Sequence, residues 1–172
     1  IALHPVMTFT GTSVDVARLS GCPFGVTAKP GLRPVAEALV VELGGEPVWV
    51  PQGARPAYHA AIAFAANNVM TLVSQASDIL RTSGIDDPAA LLAPLLAAAI
   101  DNALRAGDAA ATGPVVRGDT QTISAHLAAL AGQDPVVVAA YRTMAQLTAH
   151  RAAAAGLIAP DVLARVRAAL EV

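Results

Sequence analysis

Apolar residues follow two regimes along this chain. Up to Pro51 they come in short β-type runs: "IALH" at 1–4, "PFGVTA" at 23–28 and "EPVWVP" at 46–51, the last rich in Val and Trp. Between the second and third runs, "LRPVAEALVVELGG" sets Val35, Ala38, Leu39, Val41 and Glu42 in a helical pattern that Gly44-Gly45 stops. Strand, helix and strand in so short a span predict a βαβ crossover, with parallel strands covered by a helix. From Pro56 to Leu170 every apolar run is alanine-rich and of helical length. The pattern predicts helices over 54–81, 88–106, 119–131, 135–155 and 160–170. Their punctuation is chemical: "SGIDDP" and "GLIAPD" each offer a Gly stop, an Asp cap and a Pro first turn. The first of these helices carries Tyr58, Ile62, Phe64, Val69, Met70, Leu72, Val73, Ala76 and Leu80 around nearly its whole circumference, so burial on all sides is expected. The second, "PAALLAPLLAAAIDNAL", is similar, with Pro94 as a kink point. Five helices of this size scarcely cover two such members. The leftover apolar surface is therefore expected to meet a second copy in a homodimer.

Composition narrows the classes of function. The 172 residues carry a net charge of −2 from 11 basic and 13 acidic side chains, scattered singly, so no basic stripe exists to neutralise phosphates and a nucleic-acid partner is not expected. Lys29 is the lone lysine, which leaves the helical part without an amine acid or base. Cys22 is the lone cysteine; it has no disulfide partner in the chain and no metal-ligand spacing, pointing to a reducing, cytoplasmic setting. The longest charge-free windows are padded with alanine and broken by Asn67, Asn68, Ser74 and Gln75, so no membrane span is expected. The opening "IALHPV" has no signal-peptide character and reads as if the chain begins mid-domain.

Parallel-strand remnants followed by a helical half are the layout of two-domain nicotinamide-dependent oxidoreductases. The segments "LHPVMTFTGT" (3–12), "PFGVTA" (23–28), "AYHAAIAFAANNVMTLV" (57–73), "DNALRAGDAAATGPVVRGDTQTISAHLAAL" (101–130) and "AYRTMAQLT" (140–148) make it sharper. Together they resemble the Rossmann-like family whose C-terminal half is domain of unknown function 2520. The loop "ATGPVVRGD" departs from that family's "LTGPVVRGD" type only in its first residue. More distantly the chain resembles pyrroline-5-carboxylate, ketopantoate and 6-phosphogluconate oxidoreductases. The resemblance implies an α/β remnant of a Rossmann-like domain at 1–53 and an all-α helical bundle at 54–172 for substrate binding and dimerisation. It also implies NADP or NAD as cofactor, bound mainly by residues outside this sequence, because no G-x-G-x-x-G follows a strand here.

The candidate site residues each have a plainer alternative. His4 and Pro5 end the first strand; with Met7 and Thr8, His4 would face the nicotinamide and substrate carbonyl, or the pair simply ends an extended segment. His59 and Asn67 fall on one face of the long helix, with Ala63 midway, and so form a polar line on an apolar rod. Better-known members of the superfamily use Lys-x-x-x-Asn on this helix. Here Ala63 and Phe64 occupy both possible lysine positions, so His59 or His4 must replace the amine, or water and Asn67 must suffice. In "TGPVVRGDTQT" (112–122), Gly113-Pro114 closes one helix and Asp119 or Thr120 caps the next. Arg117 before that helix end, with Thr112 and Thr122, would hold the carboxylate or phosphate of a small anionic substrate. Asp101 with Arg105 reads as a surface pair, and His126 and His150 have no metal-binding companions. The competing function is a non-catalytic dimeric sensor or assembly module that keeps the fold without the chemistry.

Overall fold

The computed structural model describes residues 1–171. By internal contacts the chain forms two compact units, Ile1–Thr71 and Leu72–Val172, a division that falls inside the longest helix and not at the change of composition near residue 53. The first unit holds a sheet of β1 (Ala2–Pro5), β2 (Pro23–Thr27) and β3 (Glu46–Trp49), in that order, with helices α1 (Val14–Leu19) and α2 (Arg33–Glu42). The predicted crossover is present: β2 and β3 pair in parallel, Gly25 beside Val48, through α2. β1 does not share that direction. It pairs antiparallel to β2, His4 opposite Gly25, because its connection to β2 holds only the short α1 and need not cross the sheet. The outlet of β1 therefore lies beside the start of β2, and among the described residues β1's other edge is unpaired.

Phe24 and Val26 of β2 pack with Cys22, Ala36 and Val40 to form the core of this unit. The predicted helix forms, and of its apolar residues Val35, Leu39 and Val41 are exposed while Ala36 and Val40 are buried. Ala36 and Val40 lie four apart, on one face of the helix, and the small Ala36 lets that face approach the sheet more closely than a valine would.

The remaining helices are α3 (Arg55–Thr82), α4 (Pro88–Ala106), the single turn α5 (Pro114–Arg117), α6 (Thr120–Leu130), α7 (Pro135–Ala154) and α8 (Pro160–Glu171). The second unit builds its core from α5 to α8, where Val115, Ile123, Leu127, Ala145, Ala149, Val166 and Leu170 interlock. Asp87, Asp119 and Asp134 cap α4, α6 and α7 through backbone N–H groups.

The expectation that α3 is buried on all sides is overturned. No residue of it is buried, and Phe64 and Met70 are 65% and 64% exposed. α4 is equally bare: Leu95 and Leu104 are 64% and 83% exposed. An apolar circumference shows that a helix needs cover, but one chain's fold need not supply it. The stretch Pro88–Arg117, whose most apolar window has a mean hydropathy of 1.4 and is not buried, also meets the length and composition of a membrane span, contrary to the sequence expectation. Much of that hydropathy comes from alanine, and the exposed Arg105–Asp101 ion pair, 2.7 Å, lies within α4 itself.

Candidate functional site

The start of α3 is tied to the sheet by polar bonds. Arg55 Nη1 donates to Thr27 Oγ1 (3.0 Å), and Thr27 Oγ1 donates to the Val50 carbonyl (2.6 Å), which anchors the helix where β2 and β3 end. Its first turns carry Tyr58 and His59 to β1. The Tyr58 hydroxyl lies 2.9 Å from His4 Nδ1, their rings meeting edge-on at 5.7 Å. The His59 ring centroid is 5.8 Å from that of His4. Two histidines chosen separately from the sequence are thus brought together at the outlet of β1. His4 and Tyr58 are partly buried, whereas His59 is exposed. Burial pushes the Tyr58 phenol above its ordinary 10.0 although the Arg55 charge pulls the other way, so the hydroxyl stays protonated.

Other predicted residues of this unit are placed differently. Met7, partly buried, packs against the core formed by β2 and α2, and Thr8 is exposed just beyond the strand. Asn67 is exposed on α3, about 12 Å along the axis from His59 at 1.5 Å per residue, so the two do not form one contact. Its carbonyl accepts the Thr71 hydroxyl at 3.0 Å. Sequence reasoning missed Tyr58, which counted only as an apolar position; its place beside a histidine in "AYHAA" was the available signal.

In the second unit the connection at 112–122 is a turn of helix framed by two glycines, Gly113 at φ +100° and Gly118 at φ +67°. The N-terminus of α6 already has its anion. Asp119 accepts from the Thr122 N–H (3.0 Å) and from the Thr122 hydroxyl (2.7 Å), and those bonds hold its carboxyl below the usual range. Thr122 is thereby a capping partner, its hydroxyl donated within the protein. Arg117 is exposed, with its charge near Asp119. Thr112 lines a groove of about 480 Å³ between α4 and α7, with Leu95 and Asn102. Arg151 and Asp108, paired at 2.8 Å, stand at the same groove and were not singled out in the sequence. Among the described residues no group of three or more His, Cys, Asp or Glu is placed to hold a metal.

This architecture and the sequence that builds it have known counterparts. The profile of Domain of unknown function (DUF2520) matches residues 22–148. The chain belongs to this family. Among solved structures, this DUF2520 chain is similar to protein TM1727 from Thermotoga maritima, with a TM-score of 0.72 and 24% identity over 88% of this chain and 61% of that one. It is similar also to the "putative NADP oxidoreductase BF3122" from Bacteroides fragilis, with a TM-score of 0.72 and 20% identity over 86% of this chain and 56% of that one. At these identities the likeness establishes a shared fold, an α/β segment followed by helices. The chain spans about three fifths of the length of either protein. No curated protein matches it.

Proposed function

We propose that this chain is part of a cytoplasmic NAD(P)-dependent oxidoreductase that transfers a hydride to a small carbonyl or imine substrate bearing an anionic group. A ketopantoate-like 2-oxo acid is the preferred class. The observation that carries the reading is the pairing of His4 with His59, 5.8 Å between ring centroids, where the helix leaves the sheet. Two imidazoles at that spacing replace what the absent lysine would do: one polarises the carbonyl oxygen and the other delivers a proton to the forming alkoxide. His59, exposed, is the proton donor, and His4 binds the carbonyl oxygen. Asn67 and Thr8 are left as hydrogen-bonding groups for outlying parts of the ligand. In the second unit, considered by itself, the exposed Arg117 is the guanidinium available to an anionic group.

When bound, the dinucleotide supplies the hydride. The residues present fit only the rim of its site: His4 stands at the outlet, Met7 packs against the core, and no glycine-rich strand-to-helix turn in the sequence offers a cradle for phosphates. The unpaired edge of β1 supports the idea that further strands, outside this sequence, complete a nucleotide-binding sheet. The bare apolar faces of α3 and α4 support a homodimer. Ala63 and Phe64, standing where the superfamily's lysine would be, favour the second reading, a dimeric ligand sensor without catalysis.

Calorimetric titration of NADPH and NADH into the whole protein that contains this chain separates the two. Binding is expected, and its absence rejects the oxidoreductase. In a hydride-transfer assay with 2-oxo acids, His59→Ala is expected to lower kcat by about a hundredfold. Unchanged turnover would remove His59 from the chemistry.

A further inference from the structure

Gly25 sits in the middle of β2, directly opposite His4, in a conformation open to any residue. A glycine there weakens the strand unless something needs the space. Something does: a Cβ on Gly25 would lie 2.1 Å from the Tyr58 hydroxyl oxygen and 2.5 Å from Cζ. The sheet thus leaves a seat for a phenol whose hydroxyl reaches His4 Nδ1 at 2.9 Å.

The hydrogen bond has two possible directions with different consequences. If Nδ1–H donated to the phenol, the phenolic hydrogen would be left without an acceptor among the described residues, in a partly buried position. If the phenol donates, Nδ1 is the acceptor and the ring proton sits on Nε2, which makes no hydrogen bond within the described residues. Each arrangement leaves one hydrogen without a partner among the described residues, but the phenol is the stronger acid and the imidazole nitrogen the stronger base, so the phenol donates and Nε2–H is the ring's free donor. The other charged or titratable groups nearby are His59, facing His4 from α3, and Arg55 and Cys22, whose charges act on Tyr58.

We infer that Tyr58 is a positioning residue for His4: seated over Gly25, its phenol donates to Nδ1 and fixes the imidazole as the Nε2–H form, with Nε2 held as donor to a ligand oxygen at the outlet of β1. The link to a ligand rests on the oxidoreductase reading; the tautomer does not.

The test is nitrogen-15 NMR of the imidazole rings in the whole protein, above the pH at which its histidines titrate. His4 is expected to show a pyridine-type Nδ1 and a pyrrole-type Nε2. Tyr58→Phe, which removes only the hydroxyl, is expected to give a mixture of tautomers, and Gly25→Ala, which evicts the phenol, the same. His126, which has its own tyrosine partner at 2.9 Å, serves as the unchanged control. An Nδ1–H form in the wild type, or a tautomer balance untouched by Tyr58→Phe, overturns the inference. In the hydride-transfer assay the same variant is expected to lower kcat/KM about tenfold, the scale of one lost oriented hydrogen bond. Should the wild type bind no nicotinamide nucleotide, the enzyme reading fails while the spectra still decide the role of Tyr58.

Discussion

Asp15 is a buried carboxylate in the first turn of α1, and its partners are all local, in the loop that follows β1. It accepts from the Thr10 N–H (2.8 Å), the Gly11 N–H (2.8 Å) and the Thr10 hydroxyl (2.9 Å). Burial alone would raise this group, but the donated bonds prevail and hold it below its ordinary 3.8. A carboxyl depressed on folding stabilises the native state above its unfolded pKa, and that contribution disappears as pH falls through the folded value. The thermal midpoint is therefore expected to be level near neutrality and to drop below about pH 4. Asp15→Asn should lower the neutral-pH midpoint and flatten the acid drop, as read by circular dichroism; an unaltered profile would show that the carboxylate does not organise the loop. His4 and His59 were legible in the sequence because a titratable ring at a strand end, or on an apolar helix, stands out. Tyr58 was not, since its task depends on which residue β2 sets opposite His4, and register is written in no local pattern.

Among the elements, helices announced themselves best. Those expected at 88–106, 119–131 and 160–170 form as Pro88–Ala106, Thr120–Leu130 and Pro160–Glu171, because Asp caps, Pro first turns and Gly stops act within a few residues of each end. Both α1 and α5 went unread, being too short to show a period. The α5–α6 junction depends on Gly118, where φ is +67° and an added Cβ would meet Val162 Cγ1 at 2.5 Å. Gly118→Ala is expected to cost about 1 to 3 kcal/mol in urea unfolding, from the left-handed backbone and the clash together. Ile123, fully buried where α6 meets its neighbours, should cost about 2 to 5 kcal/mol as Ile123→Ala. A loss below 1 kcal/mol, roughly the scale of an exposed site, would show that this core is not packed as described.

At the scale of the whole molecule, the bare faces of α3 and α4 make the sharpest prediction. Leu95, Leu91 and Ile100 on α4 are 64%, 53% and 46% exposed, a surface unlike that of a helix at rest in water. If two copies join there, sedimentation of the whole protein gives a dimer and Leu95→Asp shifts it to monomer at micromolar concentration. A wild type that sediments as a monomer would remove the homodimer from the proposal. The sequence by itself determined where the strands and the longer helices form, that α2 crosses between two parallel strands, and which family the chain resembles, because these follow from short-range periodicity, capping and motif. Only the tertiary structure decided that β1 runs against β2, that α2 buries Ala36 and Val40, that α3 lies uncovered, and that His4, Tyr58 and His59 converge. Those outcomes depend on contacts between residues distant in sequence, where apolar spacing permits several packings and the backbone's approach selects one.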